Sequence, residues 1–424
     1  MTLRRSAAAL AAVLLLPCAA PAADTKGAPL TKREERAKFH PDAAPMPAAD
    51  RLRGYERRLE MEAASPLSAL KFRSVGPELQ GGRIVAIEAP AARPDTIFVA
   101  FASGGLFRSD NRGGSWTPLF DRQSSLSIGA FALGDPDGNV IWVGTGEANS
   151  SRTSYAGTGV FKSTDGGKSW TNTGLNDSHH VGKIVVDAKN PAVVLVAAMG
   201  PLYTVGGERG IYRTTDGGKS WARTLFVDER TGAIDLVRDP TRPDILYAAT
   251  WERDRKPWNF LESGPGSGLW KSTDGGVTWK RLAGGFPQGD AVGRIGLALS
   301  AAKPDRLYAV FDDQTRRPAS ETPDEEAPPG ELTPRRLKAL SAEQFAKLDP
   351  AVVQRFLSAR DFPKKLKAAA LIRDVKAGKV TMGDLVAYVK DANRDLFEAQ
   401  IEGSVVFRSD DGGATWTKPH EGRL

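Results

Sequence analysis

Cysteine is almost absent from this sequence. The only one among the 424 residues is Cys18, which lies in an N-terminal segment that we expect to be removed. The mature chain would then have no disulfide, no thiolate nucleophile and no cysteine-based metal site. Histidine is also scarce: His179 and His180 are adjacent on a predicted loop, and the other two are isolated. The sequence therefore predicts no metal site and no cofactor.

Long hydrophobic runs are lacking too, and we expect no stable membrane span. A short apolar stretch at residues 6–16 follows Arg4 and Arg5 and precedes small residues around Ala22. This order is typical of a secretory signal peptide, with cleavage near Ala22 and Ala23. We therefore predict an exported protein, periplasmic or secreted. Its net charge of +7 is modest and does not indicate nucleic-acid binding.

Glycine is plentiful, and part of it belongs to a repeat. The pattern Ser/Thr-x-Asp-x-Gly-x-x-Trp occurs four times, and a fifth copy has Asn in place of Asp. Glycine permits the positive φ of a tight hairpin, and the Asp carboxylate can accept hydrogen bonds from backbone N–H groups. The Trp can bury its ring against the next repeat. We predict a structural role for these residues: Asn111, Trp116, Asp165, Trp170, Asp216, Trp221, Asp274, Trp279, Asp411 and Trp416.

The spacing of the repeats predicts the fold class. The tryptophans at positions 116, 170, 221 and 279 are 54, 51 and 58 residues apart, which suits one four-stranded blade each. The predicted fold is an all-β β-propeller with at least five four-stranded blades. It is either a closed five-blade ring or the first part of a larger ring. Its inner strands are predicted at residues 84–88, 128–133, 183–187, 233–237 and 294–299.

The repeat resembles the Asp box, or bacterial neuraminidase repeat, of sialidase, xyloglucanase and sortilin-type propellers. Segments 72–77, 81–84, 143–147 and 264–268 are similar to those of large bacterial exported propellers with sortilin-like N-terminal domains. The resemblance runs from about Arg51 to the last residue. It implies a binding propeller or, by analogy with the names given to that group, a glycosyl hydrolase. Such relatives generally continue further, which favours the larger ring.

Five segments are predicted along the chain. Residues 1–22 are the signal peptide, 23–66 a disordered linker with a short helix, and 67–312 the first part of blades one to five. Residues 313–401 are a Pro-rich acidic linker and a small α-helical insert in blade five, and 402–424 complete that blade. Between Thr333 and Ile401 there are 14 Lys and Arg against 8 Asp and Glu. The insert is therefore basic, and it acts as a lid, a docking surface or a passive decoration.

The loops between second and third strands are the predicted site, because function in propellers usually lies on such loops. Glycoside hydrolysis requires two carboxylates about 5–9 Å apart, and the candidates are Glu147, Glu252 and Asp254. The candidate ligand-binding residues are Arg152, Tyr155, Tyr203, Arg209, Trp251, Arg253, Trp258 and His179. We interpret the chain as an exported binding propeller that holds a peptide, protein or polysaccharide ligand under the insert. The alternatives are a polysaccharide-directed glycoside hydrolase resembling xyloglucanases and an envelope scaffold protein.

Overall fold

The computed structural model describes residues 43–70, 82–256, 259–316, 330–360, 362–389 and 401–420. Within these ranges the chain forms five successive antiparallel sheets, and the strands of each sheet are hydrogen-bonded in chain order. We number the sheets as blades 1 to 5. The strands of blades 1 to 3 are β1 Ile84–Glu88, β2 Ile97–Phe101, β3 Gly105–Ser109, β4 Thr117–Pro118, β5 Ile128–Leu133, β6 Ile141–Thr145, β7 Val160–Ser163, β8 Thr171–Asn172, β9 Val181–Val186, β10 Val194–Ala198, β11 Gly210–Thr214 and β12 Ala222–Leu225.

Blades 4 and 5 vary this plan. A two-stranded hairpin lies between the second and third strands of blade 4. Blade 5 has three strands, and a single bridge between Arg408 and Thr417 stands where the fourth would be. The strands are β13 Thr231–Arg238, β14 Leu246–Glu252, β15 Asp254–Lys256, β16 Asn259–Leu261, β17 Gly268–Ser272, β18 Lys280–Arg281, β19 Val292–Leu299, β20 Leu307–Arg316 and β21 Ile401–Ser409.

Burial along the second strands shows how the blades stack. β6, β10 and β14 are buried at every position, because a neighbouring blade covers each of their faces. The inner strands of consecutive blades lie side by side in the order β1, β5, β9, β13 and β19. Stacked meander sheets with adjacent inner strands form a β-propeller. The predicted all-β propeller fold is therefore confirmed.

The repeat turns have one hydrogen-bond pattern. Asp165 accepts the backbone N–H of Ser169 at 2.9 Å and its hydroxyl at 2.5 Å, while Gly167 N–H donates to the hydroxyl of Ser163 at 2.8 Å. Asn111 accepts the corresponding backbone N–H at 2.9 Å through its amide oxygen. The hydrogen bonds lower the pKa of the turn carboxylates, to about 2 for Asp165. The repeated carboxylates therefore close turns.

The repeat tryptophans Trp170 and Trp221 contact the preceding blade, and the prediction that they pack on the next repeat is wrong. The ring of Trp170 lies edge-on to Phe120, with centroids 4.9 Å apart, and its Nε1 donates to the carbonyl of Leu119 at 2.9 Å. Trp221 meets Trp142 in the same way at 6.2 Å. The reason is that each Trp follows its turn on the side of the sheet that faces the preceding blade.

Helix α1, Ala48–Ala64, rests on the loops that connect blades 1 to 2 and 2 to 3. The backbone N–H of Ala48 donates to Asp177 at 2.9 Å, and Arg51 donates to the carbonyl of Asn176. Farther along, the hydroxyl of Tyr55 donates to the carbonyl of Arg122 at 3.1 Å. The helix is thus held at its N-terminal end and at its middle by polar contacts with loops.

The insert between β20 and β21 is a separate helical unit with its own core. Its helices are α2 Pro334–Ala339, α3 Ala342–Ala346, α4 Pro350–Ala359, α5 Ala368–Lys376 and α6 Met382–Val389. Leu337, Phe345, Val353 and Leu371 are among the buried residues of a cluster formed by insert residues alone. None of the helices in the described ranges is long and apolar enough to cross a bilayer.

Candidate functional site

The connections after the second strands bring side chains from several blades together. Glu147 follows β6, Arg253 follows β14, and Arg294 lies on β19. Arg253 donates to the carbonyl of Ala148 at 3.2 Å, and Arg294 donates to the side chain of Asn149 at 2.6 Å. Blades 4 and 5 therefore reach blade 2 directly, which places these residues near the propeller axis. We call the following set the axial cluster: Arg83, Glu147, Asn149, Trp251, Arg253, Glu262 and Arg294.

Glu147 is a fully engaged carboxylate within the axial cluster. Its side chain is 1% exposed and lies 2.5 Å from the guanidinium of Arg83. Asn149 and Ser154 donate to its two oxygens at 2.9 and 3.0 Å. Burial raises the pKa of Glu147, but the hydrogen bonds from Arg83, Asn149 and Ser154 outweigh it and hold the pKa below its ordinary value. Glu147 is therefore an ionised anchor for this loop.

Arg253 is buried with part of its guanidinium unsatisfied. It is 3% exposed, and Nε and Nη2 have no hydrogen-bond partner among the described residues. The ring of Trp251 lies beneath both Arg253 and Arg294, with guanidinium-to-centroid distances of 5.3 and 5.7 Å. Burial, reinforced by the charge of Arg209, lowers the pKa of Arg253 to about 9. The axial cluster thus contains one buried guanidinium, that of Arg253, with unused hydrogen-bond donors.

Glu262 is a functional candidate that the sequence analysis missed. It follows β16, and its backbone carbonyl accepts the indole N–H of Trp251 at 2.8 Å. Burial raises the pKa of Glu262 to about 7, although the charges of Arg253 and Arg255 act in the opposite direction. A carboxyl group that titrates near neutrality is a common feature of functional sites. In the sequence, the available signal for Glu262 as a site residue was its position shortly after Trp251 and Arg253, ahead of the third strand of blade 4.

The other two candidate carboxylates point to different partners. Glu252 is 3% exposed, and its side chain accepts the backbone N–H of Gly266 at 2.8 Å. Asp254 lies 3.4 Å from the ammonium of Lys256 and 3.9 Å from the guanidinium of Arg230. Whereas Glu147 contacts blade 1, these two carboxylates brace their own blade and its neighbour. The predicted pairing of Glu147 with either of them stays a prediction.

Arg209 has a structural environment that differs from its predicted ligand-binding role. It is 1% exposed, and its Nε, Nη1 and Nη2 donate to five backbone carbonyls. A guanidinium has five N–H donors, so none remains for a ligand. Burial lowers the pKa of Arg209 to about 10. The accepting residues are Met199, Pro201, Thr204, Gly206 and Arg230.

His179 is covered by helix α1. It is 7% exposed, and its Nε2 lies 2.6 Å from the guanidinium of Arg51. Burial, followed by the charges of Arg51 and Arg209, lowers the pKa of His179 to about 3. The ring is therefore neutral at ordinary pH and accepts a hydrogen bond from Arg51. This environment leaves His179 inside the helix contact.

The remaining predicted ligand residues are accessible. Tyr155 is 62% exposed and Tyr203 is 36% exposed, and Arg152 is exposed as well. The carbonyl of Tyr203 accepts a hydrogen bond from Lys256 at 3.3 Å, which connects blades 3 and 4. Trp258 lies outside the described residues. The connections of blades 2 and 3 therefore carry exposed aromatic rings, whereas Arg253 after β14 of blade 4 is buried.

Residues 158–313 match the family model described as "Sortilin, neurotensin receptor 3,". The chain contains a sortilin-like propeller segment. A xyloglucanase from Paenibacillus is 24% identical over 251 residues, which are 53% of this chain and 23% of that protein. A probable oligoxyloglucan-reducing end-specific xyloglucanase from Neosartorya fischeri is 31% identical over 141 residues, 31% of this chain and 15% of that protein. The chain thus spans about a quarter or less of these relatives and is a propeller related to glycoside hydrolases.

Solved propellers are also similar to this chain at low identity. A GH74 enzyme from Niastella koreensis is 15% identical with a TM-score of 0.44, and the match covers 79% of this chain and 38% of that one. YCF48 bound to a D1 peptide is 18% identical with a TM-score of 0.30, and the match covers 59% of this chain and 83% of that one.

Proposed function

We propose that this chain is an exported binding propeller that holds a peptide or glycan ligand at the axial cluster. The ligand would bring an oxygen acceptor to Arg253, and the rings of Tyr155 and Tyr203 would contact its outer part. The observation that carries the proposal is the pair of unpartnered donors on a buried guanidinium. Leaving such a group unpaired costs about 1–3 kcal/mol, which a ligand oxygen would offset.

The state of the carboxylates supports binding over hydrolysis. Glu147 is ionised and engaged by Arg83, while Glu252 accepts a backbone N–H in its own blade. An ionised Glu147 has no proton to give to a leaving group. The blade-5 strands β20 and β21 extend to a pairing of Arg316 with Ile401, where the insert leaves the blade on the side of these connections. We therefore propose that a ligand at the axial cluster lies on the insert side of the propeller.

Binding is tested by an affinity screen followed by Arg253→Lys. Calorimetry against peptide and xyloglucan-oligosaccharide sets first identifies a ligand. Lys keeps the charge but lacks the planar set of donors, so we expect the dissociation constant to rise at least tenfold, corresponding to about 1.4 kcal/mol. Arg281→Lys is the matched control, because Arg281 also donates to carbonyls in blade 4, at Pro265 and Ser267. Equal affinities for both variants would refute the role of Arg253.

A polysaccharide hydrolase is the second candidate, and the raised pKa of Glu262 favours it. A carboxyl group with a pKa of about 7 is partly protonated at neutral pH and can serve as a general acid. The assay measures reducing ends released from xyloglucan by the wild type and by Glu262→Gln, across pH 5 to 9. Hydrolysis that falls at high pH in the wild type and is lost in the variant would support an enzyme. Absence of release by the wild type would exclude xyloglucan hydrolysis.

A further inference from the structure

Each boundary between consecutive blades has a cation near the end of the earlier blade's third strand. Along the chain these cations are Arg108, Lys162, Arg213 and Lys271. Lys162 donates to the carbonyl of Gly217 in the blade 3 turn at 3.3 Å. Arg213 donates to the equivalent carbonyl of the blade 4 turn at 3.0 Å, and Lys271 to that of the blade 5 turn at 2.7 Å. One local arrangement therefore recurs within the chain, and its copies can be compared directly.

A carboxylate accompanies this cation at the first, third and fourth boundaries. Arg108 is paired with Asp110 of its own turn at 2.7 Å. At the later boundaries the carboxylate comes from the next blade. A Cβ added to the turn glycine of blade 5 would lie 3.2 Å from Nζ of Lys271 and 3.5 Å from the carboxylate of Asp305. In blade 4 the equivalent distance to the carboxylate of Asp244 is 3.6 Å. Cation and carboxylate thus flank the same turn.

The boundary between blades 2 and 3 lacks this carboxylate. Ala192 accepts the turn N–H of Gly217 there at 3.0 Å, in the place that the two aspartates hold at the later boundaries. Thr164 stands where the blade 1 turn has its aspartate. Among the described residues, Lys162 therefore donates to a turn carbonyl but has no carboxylate partner.

A second cation lies at this boundary instead. Lys219 follows the two glycines of the blade 3 turn and is exposed, whereas the same position is Val277 in blade 4 and Ala414 in blade 5. Burial, followed by the charge of Lys219, lowers the pKa of Lys162. Two positive charges therefore approach each other at a place where the later boundaries have one charge of each sign.

The two lysines line a groove of about 480 Å³ between the turns of blades 2 and 3. The hydroxyl-bearing residues Thr164 and Thr171 also line it, and none of its lining residues is acidic. The carboxylates of the two turns are engaged elsewhere, because Asp165 and Asp216 accept hydrogen bonds from their own turns. The groove is therefore positively charged, and a volume of this order is typical of small-molecule sites.

We propose that this groove binds a sugar that carries a phosphate or sulfate ester. The oxyanion would lie between the ammonium groups of Lys162 and Lys219 and would supply the negative charge that an aspartate supplies at the later boundaries. The ammonium of Lys162 lies 4.8 Å from the centre of the buried Trp142 ring, which holds this cation at the groove. The hydroxyls of Thr164 and Thr171 can exchange hydrogen bonds with those of the sugar.

The groove is distinct from the axial cluster, since it lies at the turn that ends β7 and not at the connection that precedes this strand. Its occupancy is tested by calorimetry on the full chain at low ionic strength, with glucose 6-phosphate, N-acetylglucosamine 6-sulfate, inorganic phosphate and glucose as probes. We expect at least one ester to bind more tightly than inorganic phosphate, and added salt to weaken it. No binding of either ester, or equally tight binding of glucose or of inorganic phosphate, would overturn the proposal.

Variants test whether the ester lies at the two lysines. Lys219→Gln should raise its dissociation constant by a factor of about three or more, as expected for the loss of one exposed charge pair. Lys168→Gln is the matched control, because Lys168 holds the same position in the blade 2 turn, is exposed and does not line the groove. It should bind as the wild type does.

Ala192→Asp provides an independent variant, because it places a carboxylate where the later boundaries have one. This carboxylate would pair with Lys162 and repel the ester, so we expect the dissociation constant to rise about tenfold or more. Circular dichroism confirms that each variant is folded. Unchanged affinity in both Lys219→Gln and Ala192→Asp, or an equal loss in Lys168→Gln, would refute binding at this groove.

Discussion

Replacing Arg209 by Met should destabilise the propeller strongly. The substitution keeps much of the apolar stem but removes all five N–H donors, and five carbonyls in and around blade 3 lose their partner. A hydrogen bond to a charged group contributes about 1.5–3 kcal/mol, and a buried acceptor left unsatisfied costs about 1–3 kcal/mol. Some of these carbonyls would gain water, so we expect a loss of about 3–5 kcal/mol rather than the sum of five bonds.

The assay is thermal unfolding followed by circular dichroism. At about 2 °C per kcal/mol for a large domain, the Tm of Arg209→Met should fall by roughly 6–10 °C. Arg209→Lys has three donors, so its Tm should lie between those of the wild type and Arg209→Met. Arg152→Met is the control, because Arg152 is exposed on a neighbouring connection and should leave the Tm within about 1 °C. An unchanged Tm for Arg209→Met would refute the bracing role of this residue.

Three further predictions concern the turns, helix α1 and the insert. The turn carboxylates have folded-state pKa values below their unfolded values. Their contribution to the folding stability is therefore present above about pH 4 and should be lost as the pH falls towards 2. The Tm measured from pH 5 to pH 2 should show this loss of stability. The Tm of Asp274→Asn should fall less over the same range, since the pKa of Asp274 is lowered to about 2. Arg51→Ala should speed proteolysis within residues 44–64, measured by mass spectrometry; Arg53→Ala, at an exposed position, should not. Replacing residues 317–400 with Asn-Gly should leave the propeller circular dichroism unchanged, because Arg316 and Ile401 are already paired.

The blade plan could be predicted from the sequence because it depends on local chemistry. Inner strands were predicted at 128–133 and 233–237, and the structure has Ile128–Leu133 and Thr231–Arg238. Alternating apolar residues and Asp-Gly-Gly turns determine such strands almost alone. Helix α3 begins with a capping box formed by Ser341 and Gln344, which is likewise readable in the sequence.

The site was harder to predict because it depends on which blades meet at the axis. Glu147, Trp251 and Arg253 were identified from their connections, but the sequence could not show that Arg253 would be buried with free donors. It also could not separate Arg253 from Arg209, since both follow aromatic and charged neighbours. Their difference comes from the carbonyls that surround Arg209. Packing between distant segments decides such cases, and spacing along the chain does not record it.

The three residues after Glu147 have a mechanical consequence for the molecule. Ala148, Asn149 and Ser150 each accept an arginine from blade 4 or 5, namely Arg253, Arg294 and Arg255. Repeat proteins whose units touch only their neighbours can lose structure one unit at a time. Here the blade-2 residues Ala148, Asn149 and Ser150 are hydrogen-bonded to blades 4 and 5 across the axis. Fraying of blade 5 would therefore break a contact with blade 2, which is not its neighbour along the chain. Blades 2, 4 and 5 should therefore melt as one cooperative block, and hydrogen exchange should give their core amides a common opening free energy.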